Sequence, residues 1–181
     1  MESYAIVLDY LPNGRSTDRG FHREPLVIGL GANELKFLEI VVRPGLVTAP
    51  GQRLPLVPVD GTPPPIDHVR RRLAPSELTA AARTELEPAL EVIVRADPPR
   101  YLRVFNEAEA VSRRYHLLEI LPGIGKKTMQ AIVDERRRQP FASFEDLERR
   151  VPLKAPERIV VARIEQELLG VDDKYRLFVA P

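Results

Sequence analysis

A chain of 181 residues in which 44% are hydrophobic and 29% charged has enough apolar sequence to bury a core, as one domain or as two small ones. Cysteine is absent, which excludes disulfides and thiolate metal sites; no apolar run approaches bilayer length and Met1-Glu2-Ser3 does not open like a signal peptide, so a cytoplasmic protein with no membrane contact is expected. The net charge of +1 excludes a uniformly basic coat, yet residues 112–138 hold seven Lys or Arg against three acids while residues 74–110 hold four against seven.

The first sixty residues carry strand patterning. Tyr4–Leu11 alternates, with Tyr4, Ile6, Leu8 and Tyr10 expected on one face, and Pro12-Asn13-Gly14 supplies turn chemistry. An apolar run at 26–30 precedes Gly31-Ala32-Asn33, and residues 34–42 make the best strand, stopped by Arg43-Pro44-Gly45. A fourth strand is expected at 53–59, pushed to a sheet edge by Pro55 and Pro58. Short strands between Gly and Pro turns predict an α+β protein whose residues 1–62 form a small antiparallel barrel. Pro63-Pro64-Pro65 is a stiff spacer and marks the boundary.

Residues 66–110 are expected to be connecting helices. Ser76 suits an N-cap for a helix reaching about residue 95, with Leu78, Ala81, Ala82, Leu86, Leu90 and Ile93 near helical spacing and Pro88 bending or splitting it. Short helices near 98–107 and 112–120 lead to a helix over 126–138, ended by Pro140. Lys174–Val179 alternates after an Asp172-Asp173 turn, and a lone strand is unstable, so it is expected to return to the barrel as a fifth strand.

The most informative stretch is Leu118-Glu-Ile-Leu-Pro-Gly-Ile-Gly-Lys-Lys127. Two glycines flank Ile124 before a helix that opens at Lys126, leaving unpaired backbone donors beside the lysines. Such a terminus suits a phosphate. The candidate contacts are Pro122, Gly123, Ile124, Gly125, Lys126, Lys127 and Thr128. With Ala131 and Ile132 placed to pack back on Leu118 and Leu121, this order resembles the helix-hairpin-helix motif of DNA repair and recombination proteins. Pro140-Phe141-Ala-Ser-Phe144-Glu-Asp-Leu147 resembles the link to a second such unit, with Ser143 capping the next helix. The implied helix-hairpin-helix domain spans 111–170. At Val151–Pro156 both glycines are missing, so the second hairpin is read as structural, with Lys154 still able to touch phosphate through its side chain. Arg136-Arg137-Arg138 complements a helix C-terminus whatever its ligand.

A five-stranded barrel beside such a module resembles an OB-type fold, whose sheet binds single strands through aromatic and basic side chains. Tyr10, Phe21, Arg23, Lys36, Phe37 and Arg43 are the candidates, although Phe37 shares a face with Leu35 and Val41 and reads better as core. Arg15, Arg19, His22 and Arg23 give one loop a positive bias. Nothing points to catalysis, a cofactor or a metal: His22, His68 and His116 share no ligand spacing, no serine stands in a nucleophile elbow, and Gly29-Leu30-Gly31 lacks a third glycine.

The whole chain resembles an uncharacterised archaeal family of nucleotide- or RNA-binding proteins, through Tyr4–Pro12, Leu35–Val41, Leu117–Lys127, Phe144–Leu147 and Arg163–Leu168. The resemblance implies an OB-like barrel joined to a helix-hairpin-helix domain and a link to translation or ribosome maturation. RNA is thus the expected ligand; duplex DNA, or a protein-adaptor role with ribosomal or transcription partners, are the alternatives.

Overall fold

The computed structural model describes residues 1–17, 20–171 and 174–180. The chain begins with β1 (Tyr4–Leu11), a small hairpin of β2 (Arg15–Thr17) and β3 (Gly20–His22), then β4 (Leu26–Gly31), β5 (Phe37–Val42), β6 (Arg53–Pro55) and β7 (Ile66–Arg72). Five of these strands make a curled antiparallel half-barrel in the order β6-β1-β4-β5-β7. A 3₁₀ turn at Pro75–Glu77 leads to α1 (Ala80–Ala96), then α2 (Pro98–Glu107), the two-stranded hairpin β8 (Ala110–Ser112) and β9 (Tyr115–His116), and a 3₁₀ turn at Leu117–Ile120. The helices α3 (Lys126–Arg138), α4 (Phe144–Arg150) and α5 (Pro156–Leu168) follow. No helix among the described residues is long and apolar enough to cross a membrane.

The chain divides into two compact units, Met1–Ala89 with Ala180, and Leu90–Val179; the division falls inside α1, one residue past Pro88. Pro88 does not split that helix, which runs unbroken over its 17 residues. Its cap is Thr79 rather than Ser76: the Ala82 N–H donates to Thr79 Oγ1 at 3.1 Å, and Ser76 sits inside the preceding 3₁₀ turn.

In the first unit, one sheet face packs Ala5, Val7, Val27, Leu38, Ile40 and Val42 with Leu54 and Ile66. Ile6, Leu8, Leu26, Ile28 and Leu30 point the other way and are also fully buried, so β1 and β4 are covered on both faces. Gly29 suits the crowded centre, where a Cβ would lie 3.1 Å from both Ala5 Cβ and Ile40 Cδ1 and would push those neighbours apart. A bulge between Val7 and Asp9 shifts the register of β1. Tyr10 therefore packs with Ala5 and Val7 instead of sharing a face with Ile6 and Leu8, the reversal that a one-residue slip imposes.

Two expectations are corrected here. The fifth strand is β7, not residues 174–179, and residues 66–72 are therefore sheet rather than connecting helix. As an edge strand, β7 has only Ile66 buried and turns Asp67, His68, Val69 and arginines toward solvent, so it lacks the apolar alternation that marks a strand in sequence. Its arginines are held by acids: Glu39, 2% exposed within β5, lies 3.5 Å from both Arg70 and Arg71 and 3.0 Å from Arg15 of β2. Arg71 also meets Glu77 at 2.6 Å.

The second unit gathers around α2, α3, α4 and α5. Arginines satisfy helix ends that would otherwise be left with bare carbonyls. Arg136 of α3 donates to Phe105 O (3.1 Å) and Ala108 O (2.7 Å) at the end of α2, and Arg150 of α4 donates to Glu135 O (2.8 Å) and Gln139 O (2.6 Å) at the end of α3. Asn106 exchanges both amide bonds with the Phe141 backbone. Ser143 caps α4 as expected, accepting from the Asp146 N–H at 3.0 Å. Residues 174–179 belong to this unit and carry no strand; Leu177, Phe178 and Val179 donate their N–H groups to the buried carboxylate of Glu167. The expected Asp172-Asp173 turn lies outside the described residues.

Candidate functional site

The residues around Gly123 form one exposed turn on a rigid base. The helix expected at 112–120 is instead the β8–β9 hairpin followed by a single 3₁₀ turn, which packs against α3. That turn is capped from both directions: His116 Nδ1 accepts from the Leu118 N–H at 3.1 Å, and Glu119 Oε1 accepts from the His116 N–H at 3.0 Å. Burial and the nearby Arg136 charge pull the His116 imidazole below its ordinary value, which keeps Nδ1 free to accept. Leu118, Leu121, Ile124 and Ile132 are buried beneath the turn.

The chain reverses through Gly123 at φ +77, a conformation that favours glycine, and the Ile124 N–H closes the turn on Leu121 O at 3.1 Å. Gly125 is different. At φ −90 and ψ −177 it occupies extended space open to any residue, and it is the N-cap of α3 without a side chain to cap with. A Cβ there, or on Gly123, would meet nothing within 4 Å. Among the described residues, the N–H groups of Gly125, Lys126, Lys127 and Thr128 find no protein acceptor, and the exposed Lys126 and Lys127 ammonium groups find no acid. The arrangement presents a row of backbone donors, the positive end of a 13-residue helix and two full charges to an unobstructed surface.

The remaining candidates are distributed differently. Pro122 is half-buried in the same turn. Lys154 is exposed in the second hairpin, but the backbone there is not equivalent: Ala155 sits at φ 48 and spends its N–H on Glu148 Oε1 (3.3 Å), while Pro156 opens α5 with no N–H to offer. Arg43 and Arg23 lie in the first unit; both are exposed, and Arg43 Nε donates to Ile66 O at 3.1 Å. Of the other sheet residues considered, Phe37 is 4% exposed and belongs to the core, Tyr10 spends its hydroxyl on Leu46 O at 2.9 Å, and Lys36 pairs with Glu34 at 2.5 Å. With β4 and β5 buried throughout and β1 buried from Ala5 to Leu8, those positions do not form an open stacking platform. Arg19 and the side chains of Phe21 and His22 lie outside the described residues. Among the described residues, no three His, Asp or Glu side chains gather as a metal site.

An adjoining pair of cations was not legible in the sequence. Arg113 and Arg114, at the tip of the β8–β9 hairpin, read there as part of a helix; as a turn they are exposed and face the first turns of α3 across a groove.

Comparison with known proteins agrees on one point of identity. Residues 1–180 match the model of a family described as "Protein of unknown function (DUF655)", and the chain belongs to that family. It is 40% identical over 179 residues to the uncharacterized protein MJ0038 of Methanocaldococcus jannaschii, spanning 98% of this chain and 80% of that protein. It is also similar to the crystal structure of Af1531 from Archaeoglobus fulgidus, with a TM-score of 0.85 and 38% identity over 99% of this chain and all of that one. The family is therefore one with archaeal members, as the sequence resemblance implied.

Proposed function

We propose that this protein is a non-enzymatic nucleic-acid-binding protein that grips a phosphate backbone at Pro122–Thr128. In this reading Leu117–Arg138 is a helix-hairpin-helix unit whose first helix has shrunk to one 3₁₀ turn, and the half-barrel is OB-like. The observation that carries the proposal is Gly125: neither its own backbone angles nor any neighbour within 4 Å requires glycine, yet glycine leaves the first donors of α3 uncovered. A serine or aspartate there would serve the helix better and an approaching phosphate worse. RNA is favoured over DNA, with a role in translation or ribosome maturation, on the strength of the family resemblance set out from the sequence.

Replacing Lys126 and Lys127 together by Glu tests the grip. Both side chains are exposed, so the thermal midpoint should stay within a few degrees while affinity for RNA at low salt drops at least about tenfold. Unchanged affinity in a folded variant rules the phosphate role out. Competition between structured RNA and duplex DNA of equal length separates the two ligands.

A further inference from the structure

The groove facing Lys126 from β8–β9 extends the site. It has a volume of about 610 Å³, within the range of about 300–1,000 Å³ that accommodates a small organic ligand. Half-buried Tyr115 and Met129 and buried Val133 give it an apolar interior, and exposed Arg113, Arg114 and Lys126 give it a cationic edge. Among the described residues the charged ends of those three cations have no acid or carbonyl partner. Arg137 adds a fourth charge, held only by an exposed contact with Asp134 at 3.9 Å. Against them stand Glu109 and Glu119, of which Glu119 already accepts from the His116 N–H. Arg136 also lines the groove but is spent on the end of α2.

A ligand for such a groove needs a flat, partly apolar body and an anionic flank, which describes a nucleotide. Position sharpens the point. The groove shares Tyr115 and Glu119 with the broad concavity over Gly123 and Gly125, and Lys126 is both the first residue of α3 and part of the groove edge. A backbone held at the N–H groups of Gly125 and Lys126 has a continuous path into the groove. A duplex keeps its bases stacked and paired behind a convex sugar-phosphate surface, and cannot lay a base in such a space; an unpaired nucleotide can.

We propose that the groove between β8–β9 and α3 seats an unpaired nucleotide next to the phosphate held at Gly125–Lys127, so that the ligand is a single-stranded or looped nucleic acid rather than a duplex. This rests on the hairpin reading above and goes beyond it by fixing the strandedness of the ligand.

The experiment measures binding of a short labelled RNA strand at low salt, with the same sequence as single-stranded DNA and as duplex for competitors. Wild type, Arg113→Glu/Arg114→Glu and Lys127→Glu are compared. Wild type should prefer either single strand to the duplex by about tenfold, and the relative strength of the two single strands reports which sugar is read. The double arginine variant should lose about tenfold on single strands and little on duplex, whereas Lys127→Glu should weaken both. A wild type that binds duplex as well as single strands, or an arginine variant that binds single strands as tightly as wild type, overturns the groove proposal while a weakened Lys127→Glu leaves the hairpin reading standing. No binding by wild type overturns both. Photocrosslinking of wild type to a strand carrying 4-thiouridine gives a readout independent of variant folding: adducts at Tyr115 or Met129 support the seat, and adducts confined elsewhere refute it.

Discussion

At the scale of single residues, Gly123 and Gly125 look alike in sequence and do different things. Gly123 turns the chain at φ +77, and Gly123→Ala should cost about 1–2 kcal/mol because a Cβ disfavours that region even where space is open. Gly125→Ser should instead gain a few tenths of a kcal/mol by supplying the missing cap, measured by urea unfolding. Opposite signs for two glycines two residues apart would show that backbone geometry demands glycine at the first position and not at the second. His116 offers a second test. Protonation removes the acceptor used by the Leu118 N–H, and burial holds the folded imidazole below its ordinary value of 6.5. The unfolded chain therefore takes up the proton first as pH falls, so the cap's contribution is whole above about pH 6.5 and is lost in the window just beneath. Unfolding midpoints between about pH 7.5 and 5 should fall in wild type and less steeply in His116→Asn, which keeps a capping oxygen; parallel curves would dispose of this account.

At the scale of elements, what could be read from sequence depended on whether a segment explains itself locally. β4 and β5 are apolar runs stopped by turn residues, and α3 and α4 carry their own start signals, so each was legible. β7 was not, because an edge strand of charged residues has no apolar pattern and Pro63-Pro64-Pro65 before it reads as a boundary. The C-terminal segment misled in the other direction. Its alternation suggested a strand, but Tyr175 packs on Tyr115 (5.9 Å between ring centres) and Phe178 on Tyr101 (6.0 Å), while its N–H groups go to a carboxylate instead of a neighbouring strand. The clamp is Glu167, 1% exposed, paired with the equally buried Arg163 at 2.9 Å and accepting from Leu177, Phe178 and Val179. Glu167→Ala leaves a buried guanidinium and three N–H groups without that acceptor and should cost about 3–5 kcal/mol. Hydrogen exchange should show residues 177–179 losing protection in that variant; retained protection would mean that ring packing alone holds the segment. Caps such as Arg136 and Arg150 escaped the sequence for the same reason as β7. A guanidinium that reaches another helix's last carbonyls is a tertiary fact, and in sequence it is one more basic residue.

At the scale of the whole molecule, a net charge of +1 cannot generate a long-range field that collects nucleic acid indiscriminately. The proposed binding therefore rests on local patches, and the candidate patch was the most legible part of the site because its glycines and lysines fall within five residues of sequence. The groove beside it was hidden because it depends on β8–β9 folding back toward α3. With about three to five phosphate contacts, the logarithm of affinity should fall against the logarithm of salt with a slope of roughly −2 to −4, and a flat dependence would favour a protein-adaptor role over phosphate binding. The central claim is that the open N-terminus of α3 exists for an anion, and the most direct measurement is the affinity of Gly125→Asp for single-stranded RNA alongside its unfolding free energy. The account predicts a variant at least as stable as wild type that binds about tenfold or more weakly; a variant equally stable and equally tight would contradict it.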